Sequence, residues 1–102
     1  MNKLITVAVI DSGIYPHIDF KNRIVAFKDF VNGRKNAYDD CGHGTHVSGI
    51  IAGSGYASHG RIRGICPAAS LAGIKVLDRL GNGRIENVLD AAGWIISHQK
   101  DL

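Results

Sequence analysis

Residues 7–14 read Val-Ala-Val-Ile-Asp-Ser-Gly-Ile, an apolar run that delivers a carboxylate into a turn of small residues. The run starts at Leu4, and between Leu4 and Ile10 only Thr6 is polar. A near-continuous apolar segment of this length predicts a strand covered on both faces, as in parallel sheets. Asp11 then stands at the carboxyl end of that strand, where active residues collect in open α/β sheets. A carboxylate there is costly to bury unless hydrogen bonds satisfy it. The N–H groups of the Ser12-Gly13 turn supply part of that need. Alone, Asp-Ser-Gly also fits an ordinary turn after a strand.

The rest of the chain supports the same architecture. Ile24–Phe30 reads as a second strand, followed by a polar turn at Asn32-Gly33-Arg34-Lys35-Asn36. Residues 42–53 read Gly-His-Gly-Thr-His-Val-Ser-Gly-Ile-Ile-Ala-Gly; from Gly44 or Thr45 to Ala52 they predict a short helix whose small residues allow close packing. Gly53–Arg63 reads as a surface loop and Ser70–Leu77 as a third strand. After a Gly81-Asn82-Gly83 turn, Ile85, Val88, Leu89, Ala92, Ile95 and Ile96 recur with helical period. Glu86 and Asp90 near the start of this helix and Lys100 near its end suit the helix dipole. Strand, strand, helix, strand, helix predicts an α/β fold, a parallel sheet flanked by helices with right-handed crossovers.

At 102 residues the chain is at most one small domain. Its single Trp, three Tyr and three Phe leave the core to Ile, Val, Leu and Ala. The net charge of +3 is mild, and its densest cluster, Arg61 and Arg63, has no aromatic partners for stacking. Nucleic acid is therefore not an expected partner. No apolar run is long enough to span a membrane, and the N-terminus lacks a leader-type segment. A cytoplasmic setting is expected if Met1 is the true start. Cys41 and Cys66 show neither metal-type spacing nor a disulfide framework; both are expected to be buried packers.

His43 is the second residue with a chemical reading. Glycines on both sides let the backbone approach a neighbour closely and keep the ring accessible. A helix N-terminus disfavours a positive imidazole, so a carboxylate partner is needed to fix its tautomer, and Asp11 is a candidate. His46, about one turn further on, is expected to be structural, satisfying a buried hydrogen bond. None of Ser12, Ser48, Ser54, Ser58, Ser70 and Ser97 stands in a setting that suits a nucleophile.

These segments resemble the N-terminal half of the catalytic domain of the subtilases, the subtilisin-like serine endopeptidases. The 7–14 segment is similar to the family's aspartate motif, and His43-Gly44-Thr45-His46-Val47-Ser48-Gly49 to its histidine motif. Gly64-Ile65-Cys66-Pro67 and Ile74-Lys75-Val76-Leu77 resemble the stretches that follow. The resemblance runs from about Thr6 to Trp94. It implies a partial subtilisin-like domain with Asp11 as catalytic acid and His43 as general base. It also implies Gly81, Asn82 and Gly83 as the edge that holds polypeptide substrate in extended form. The order Asp, then His, is that of the subtilisin triad. The family's Gly-Thr-Ser-Met-Ala serine motif does not occur in residues 1–102.

The expectation is therefore that 1–102 forms the N-terminal portion of a subtilisin-like peptidase domain, without its Ser-bearing C-terminal portion. The implied function is serine endopeptidase chemistry, with this chain holding Asp and His only and inactive by itself. The alternative is a non-catalytic subtilase remnant that binds peptides or another protein; a third reading has a complementary Ser-bearing segment complete the site. A zinc site assembled from His43, His46, Cys41, Asp39, Asp40 and His59 lacks the metalloprotease Glu and spacing, so no metal ligand set is assigned. Asp19 resembles a family calcium-ligand position, but the Gly53–Arg63 loop lacks the Asn-rich calcium segment, so no cofactor is assigned.

Overall fold

The computed structural model describes residues 5–102; Leu4, the first residue of the expected leading strand, lies outside them. Three strands, β1 (Thr6–Asp11), β2 (Ile24–Asp29) and β3 (Ser70–Lys75), form one sheet in the order β1-β3-β2. Both pairings are parallel, with β3 between the other two. Helix α1 (His43–Ala52) precedes β3, and helix α2 (Ile85–Ser97) follows it. The expected α/β architecture is thus the one observed. Short 3₁₀ turns at Ile18–Phe20, Tyr56–Ser58 and Gln99–Asp101 were not legible in the periodicity.

The central strand explains why the sheet holds. Every residue of β3 is buried, as a strand covered on both faces requires. Alternate side chains point to opposite faces. On one face Leu71 joins Val9, Ile14, Phe20, Ala52 and Ala69, with Val47 and Ile51 of α1 packed against them. On the other, Ile74 and Val76 meet Ala91 of α2, with Trp94 and Ile95 alongside. Gly73 matters here because a Cβ on it would press on the Ile14 and Phe27 side chains.

The periodic residues of α2 divide between two surfaces. Ala91, Trp94 and Ile95 face the sheet, whereas Ile85, Leu89 and Ile96 remain 66–68% exposed. The helix carries more apolar surface than this sheet covers. β1 likewise pairs only with β3, so among the described residues its outer edge has no partner strand. No helix among the described residues is long and apolar enough to cross a membrane.

Candidate active site

β1 and α1 bring together the two residues singled out in the sequence. Asp11 is the last residue of β1 and is 9% exposed. His43 is the first residue of α1. Its Nδ1 lies 2.9 Å from both carboxylate oxygens of Asp11. With Nδ1–H donating to the carboxylate, the neutral ring keeps its lone pair on Nε2. The His43 side chain is 61% exposed, so the imidazole is open to solvent. The hydrogen bond that His43 donates to Asp11, and then the negative charge of Asp11, hold the His43 pKa above the ordinary 6.5. This offsets the penalty of placing a cation at a helix start.

Two glycines make the approach of acid turn and helix possible. Gly13 has φ of +122°, and a Cβ on it would collide with the Tyr38 carbonyl. A Cβ on Gly44 would collide with the Gly13 carbonyl. The turn and the first helical residue therefore meet backbone to backbone. Ser12 Nα–H donates to Asp11 Oδ1 at 2.7 Å, as the turn geometry predicted. The Ser12 hydroxyl is fully buried and accepts from Gly44 N–H at 2.8 Å. Its role is structural; it is not placed as a nucleophile.

Asp39 organises the start of α1, a function missed in the sequence. Its Oδ1 accepts from Ser12 Oγ, Gly42 N–H and Cys41 N–H at 2.8, 2.8 and 3.1 Å. Its Oδ2 accepts from Thr45 N–H at 2.8 Å and Thr45 Oγ at 2.6 Å. Burial alone raises the pKa of Asp39, but the bonds from Thr45, Gly42 and Ser12 outweigh it and hold the value at about 2. The readable signal was an acidic residue three positions before Gly42, whose own lack of a side chain leaves the helix start without a cap.

Lys75 was also missed. It ends the buried strand β3, opposite Asp11 on β1 and Asp29 on β2. Its side chain is 0% exposed. A lysine closing an apolar strand was itself the signal, because a buried ammonium requires partners.

Gly81, Asn82 and Gly83 form an exposed turn after β3. Gly83 bridges back to Leu77 in antiparallel fashion. Asp78 holds the turn by accepting from Leu80 N–H and Asn82 N–H at 2.9 and 3.0 Å. Leu77 N–H donates to the Asp11 carbonyl at 3.2 Å, which connects this edge to the acid turn.

Three expectations need correction. Cys41 and Cys66 are exposed, not buried. Cys41 lies in the turn whose N–H groups point inward to Asp39, which leaves its side chain outside. Cys66 is tied through its backbone to the Ile51 carbonyl at 2.7 Å. His46 is exposed as well; it lines a groove of ≈ 460 Å³ with Phe20, Ile50 and Ile65 rather than satisfying a buried partner.

Among the described residues no group of three or more His, Cys, Asp and Glu side chains is gathered as metal ligands. The Asp19 carboxylate accepts from Ala57 N–H at 2.8 Å. The Arg23 guanidinium donates to the Ala52 and Ala69 carbonyls at 2.7 and 2.6 Å. Asp19 thus anchors the 53–63 loop through Ala57, and its backbone carbonyl accepts from Ser54 N–H at 3.0 Å.

A parallel α/β sheet with a carboxylate-oriented imidazole at its strand ends belongs to the class that includes triad hydrolases. The profile of the subtilase family (Peptidase_S8) matches residues 2–102, and the chain belongs to that family. It is 46% identical over 99 residues to serine protease AprX of Bacillus subtilis, covering 97% of this chain and 22% of that protein. It is 40% identical over 100 residues to subtilisin E of the same organism, covering 96% and 25% respectively. Among solved structures, a cold-adapted subtilisin-like serine proteinase superposes with a TM-score of 0.77 at 35% identity. That match covers 89% of this chain and 31% of the other. The chain therefore spans between a fifth and a third of the length of these relatives.

Proposed function

We propose that residues 1–102 supply the acid and the base of a serine endopeptidase, and that the nucleophilic serine comes from polypeptide outside this sequence. The contact of His43 Nδ1 with both Asp11 oxygens at 2.9 Å carries this reading. In the reaction His43 Nε2 takes the proton of the serine hydroxyl as that oxygen attacks the peptide carbonyl. The imidazolium then returns the proton to the leaving amine, while Asp11 holds the ring and stabilises its positive form. Gly81, Asn82 and Gly83 hold the substrate as an extended strand. The peptidase names of the relatives support polypeptide as the substrate class.

On this reading the isolated chain is catalytically incompetent. A Ser-bearing complement would extend the sheet at the open edge of β1 and cover Ile85, Leu89 and Ile96. The test is labelling by a fluorophosphonate probe, first with the chain alone and then with the Ser-bearing remainder of a subtilase added in trans. The chain alone stays unlabelled, and the mixture is labelled on the added serine. That labelling falls on Asp11→Asn by roughly 10⁴-fold in rate, the loss seen when a triad loses its acid. Labelling of any serine within 1–102 overturns the proposal. A mixture that binds extended peptide but is never labelled favours the non-catalytic remnant.

A further inference from the structure

We infer that Lys75 is a positioning residue that locks the acid turn, the segment leading to His43 and the candidate substrate edge into one geometry. The inference rests on the endopeptidase reading of Asp11 and His43. An ammonium has three donors, and the structure uses all three. Lys75 Nζ lies 2.7 Å from the Ser12 carbonyl, 2.7 Å from Asp40 Oδ1 and 2.7 Å from the Leu77 carbonyl. These three acceptors belong to the three segments that must agree for the site to work. With no donor left over and no exposed surface, Lys75 does not touch substrate.

The ammonium acts on Asp11 through the backbone. The Asp11 carbonyl is held by Val76 and Leu77 N–H at 2.8 and 3.2 Å. One carboxylate oxygen is held by Ser12 N–H, and the carbonyl of Ser12 is the group Lys75 grips. Rotation of the Ser12 backbone is thus blocked at both ends, which fixes the direction in which the carboxylate faces His43. The grip on Leu77 reaches the other way. Leu77 bridges Gly83, and Asp78 N–H donates to the Asn82 carbonyl at 2.8 Å. Asp40 immediately follows Asp39, the carboxylate that caps α1, so the third bond steadies the run into His43.

A simpler role is charge balance, because Lys75 shares a row with Asp11 and Asp29 and pairs with Asp40. The two roles differ in sign at His43. Removing a nearby positive charge favours the imidazolium and raises its titration midpoint. Losing the orientation of Asp11 weakens the hydrogen bond to Nδ1 and lowers the midpoint.

The experiment is an NMR pH titration of His43 in the whole chain. In the unsubstituted protein the midpoint lies above the ordinary imidazole value. The paired substitution Lys75→Met with Asp40→Asn removes one charge of each sign, and the positioning role predicts a midpoint that drops most of the way to that ordinary value. Lys75→Arg retains the charge, but its planar fork cannot reproduce three converging donors; it too is expected to lower the midpoint. Should the Met/Asn pair fail to fold, the Arg variant decides alone. Folded variants whose midpoint is unchanged or raised overturn the positioning role while leaving the Asp11–His43 pair intact. An ordinary midpoint in the unsubstituted chain instead sinks the pair itself, and the role of Lys75 with it.

Discussion

Replacing Asp39 by Asn should cost this chain about 2 kcal/mol of stability at neutral pH, and the cost should vanish in acid. The magnitude follows from the structure. A carboxyl held at about 2 when folded, against 3.8 when free, corresponds to roughly 2 kcal/mol, at about 1.4 kcal/mol for each pH unit. Because the folded value is depressed, this stability is fully present above pH 3.8 and is lost as the pH falls through the folded value near 2. The amide of Asn retains one acceptor oxygen, which can serve Ser12 and Gly42. Its NH₂ group then confronts the N–H of Thr45, a donor left without its acceptor, while the Thr45 hydroxyl loses the carboxylate it donates to and can only turn to accept from the amide. The assay is urea unfolding of both proteins between pH 2 and 7, comparing midpoints at constant m-value. A difference below about 0.5 kcal/mol at pH 7, typical of an unimportant surface site, would falsify the capping role. So would a difference of the same size at pH 2.

Gly44→Ala drives a methyl group into the Gly13 carbonyl. It should destabilise by about 1–3 kcal/mol, as overpacking does, and should separate acid from base, read as a lowered His43 midpoint by NMR. Ser48 is fully buried on α1, and its hydroxyl finds no partner among the described residues. Ser48→Ala should therefore be neutral or stabilising by up to about 1 kcal/mol in thermal or urea unfolding; clear destabilisation would point to a hydrogen bond made by that hydroxyl. Asp11→Asn removes the two largest causes of the raised His43 midpoint and leaves the charge of Asp39, so the ring should titrate nearer the ordinary 6.5 than in the unsubstituted chain. The extra stability that the pair draws from the charged imidazolium is present in full below 6.5 and fades as the pH rises through the higher folded value. Unfolding curves of the two proteins should accordingly converge at alkaline pH.

Much of this architecture was written in local patterns. The apolar run before Asp11, the small-residue segment after His43 and the periodicity of α2 each reflect burial against a sheet, which composition records directly. The glycines around His43 were legible too, because close backbone approach leaves few alternatives. Asp39 and Lys75 were harder to read, since their roles depend on partners far along the chain. Lys75 meets Ser12 across 63 positions, and Asp39 meets Ser12 across 27. No spacing rule reports such pairings. The exposed cysteines misled for the opposite reason: burial is their general habit, but here inward-facing backbone groups turned the side chains out.

The strand order β1-β3-β2 also has a kinetic side. The middle strand is the last of the three in sequence, and β1 and β2 do not pair with each other. A nascent chain emerging N-terminus first carries both outer strands for some forty residues of synthesis before Ser70–Lys75 arrives to join them. Until then neither has a sheet partner, and no frame exists to set Asp11 against His43. Folding must wait for long-range closure, which places this topology among the slower ones, and the same closing event delivers Lys75 to its three acceptors. The Asp11–His43 pair is consequently not a local unit that matures early; it is assembled when the sheet is.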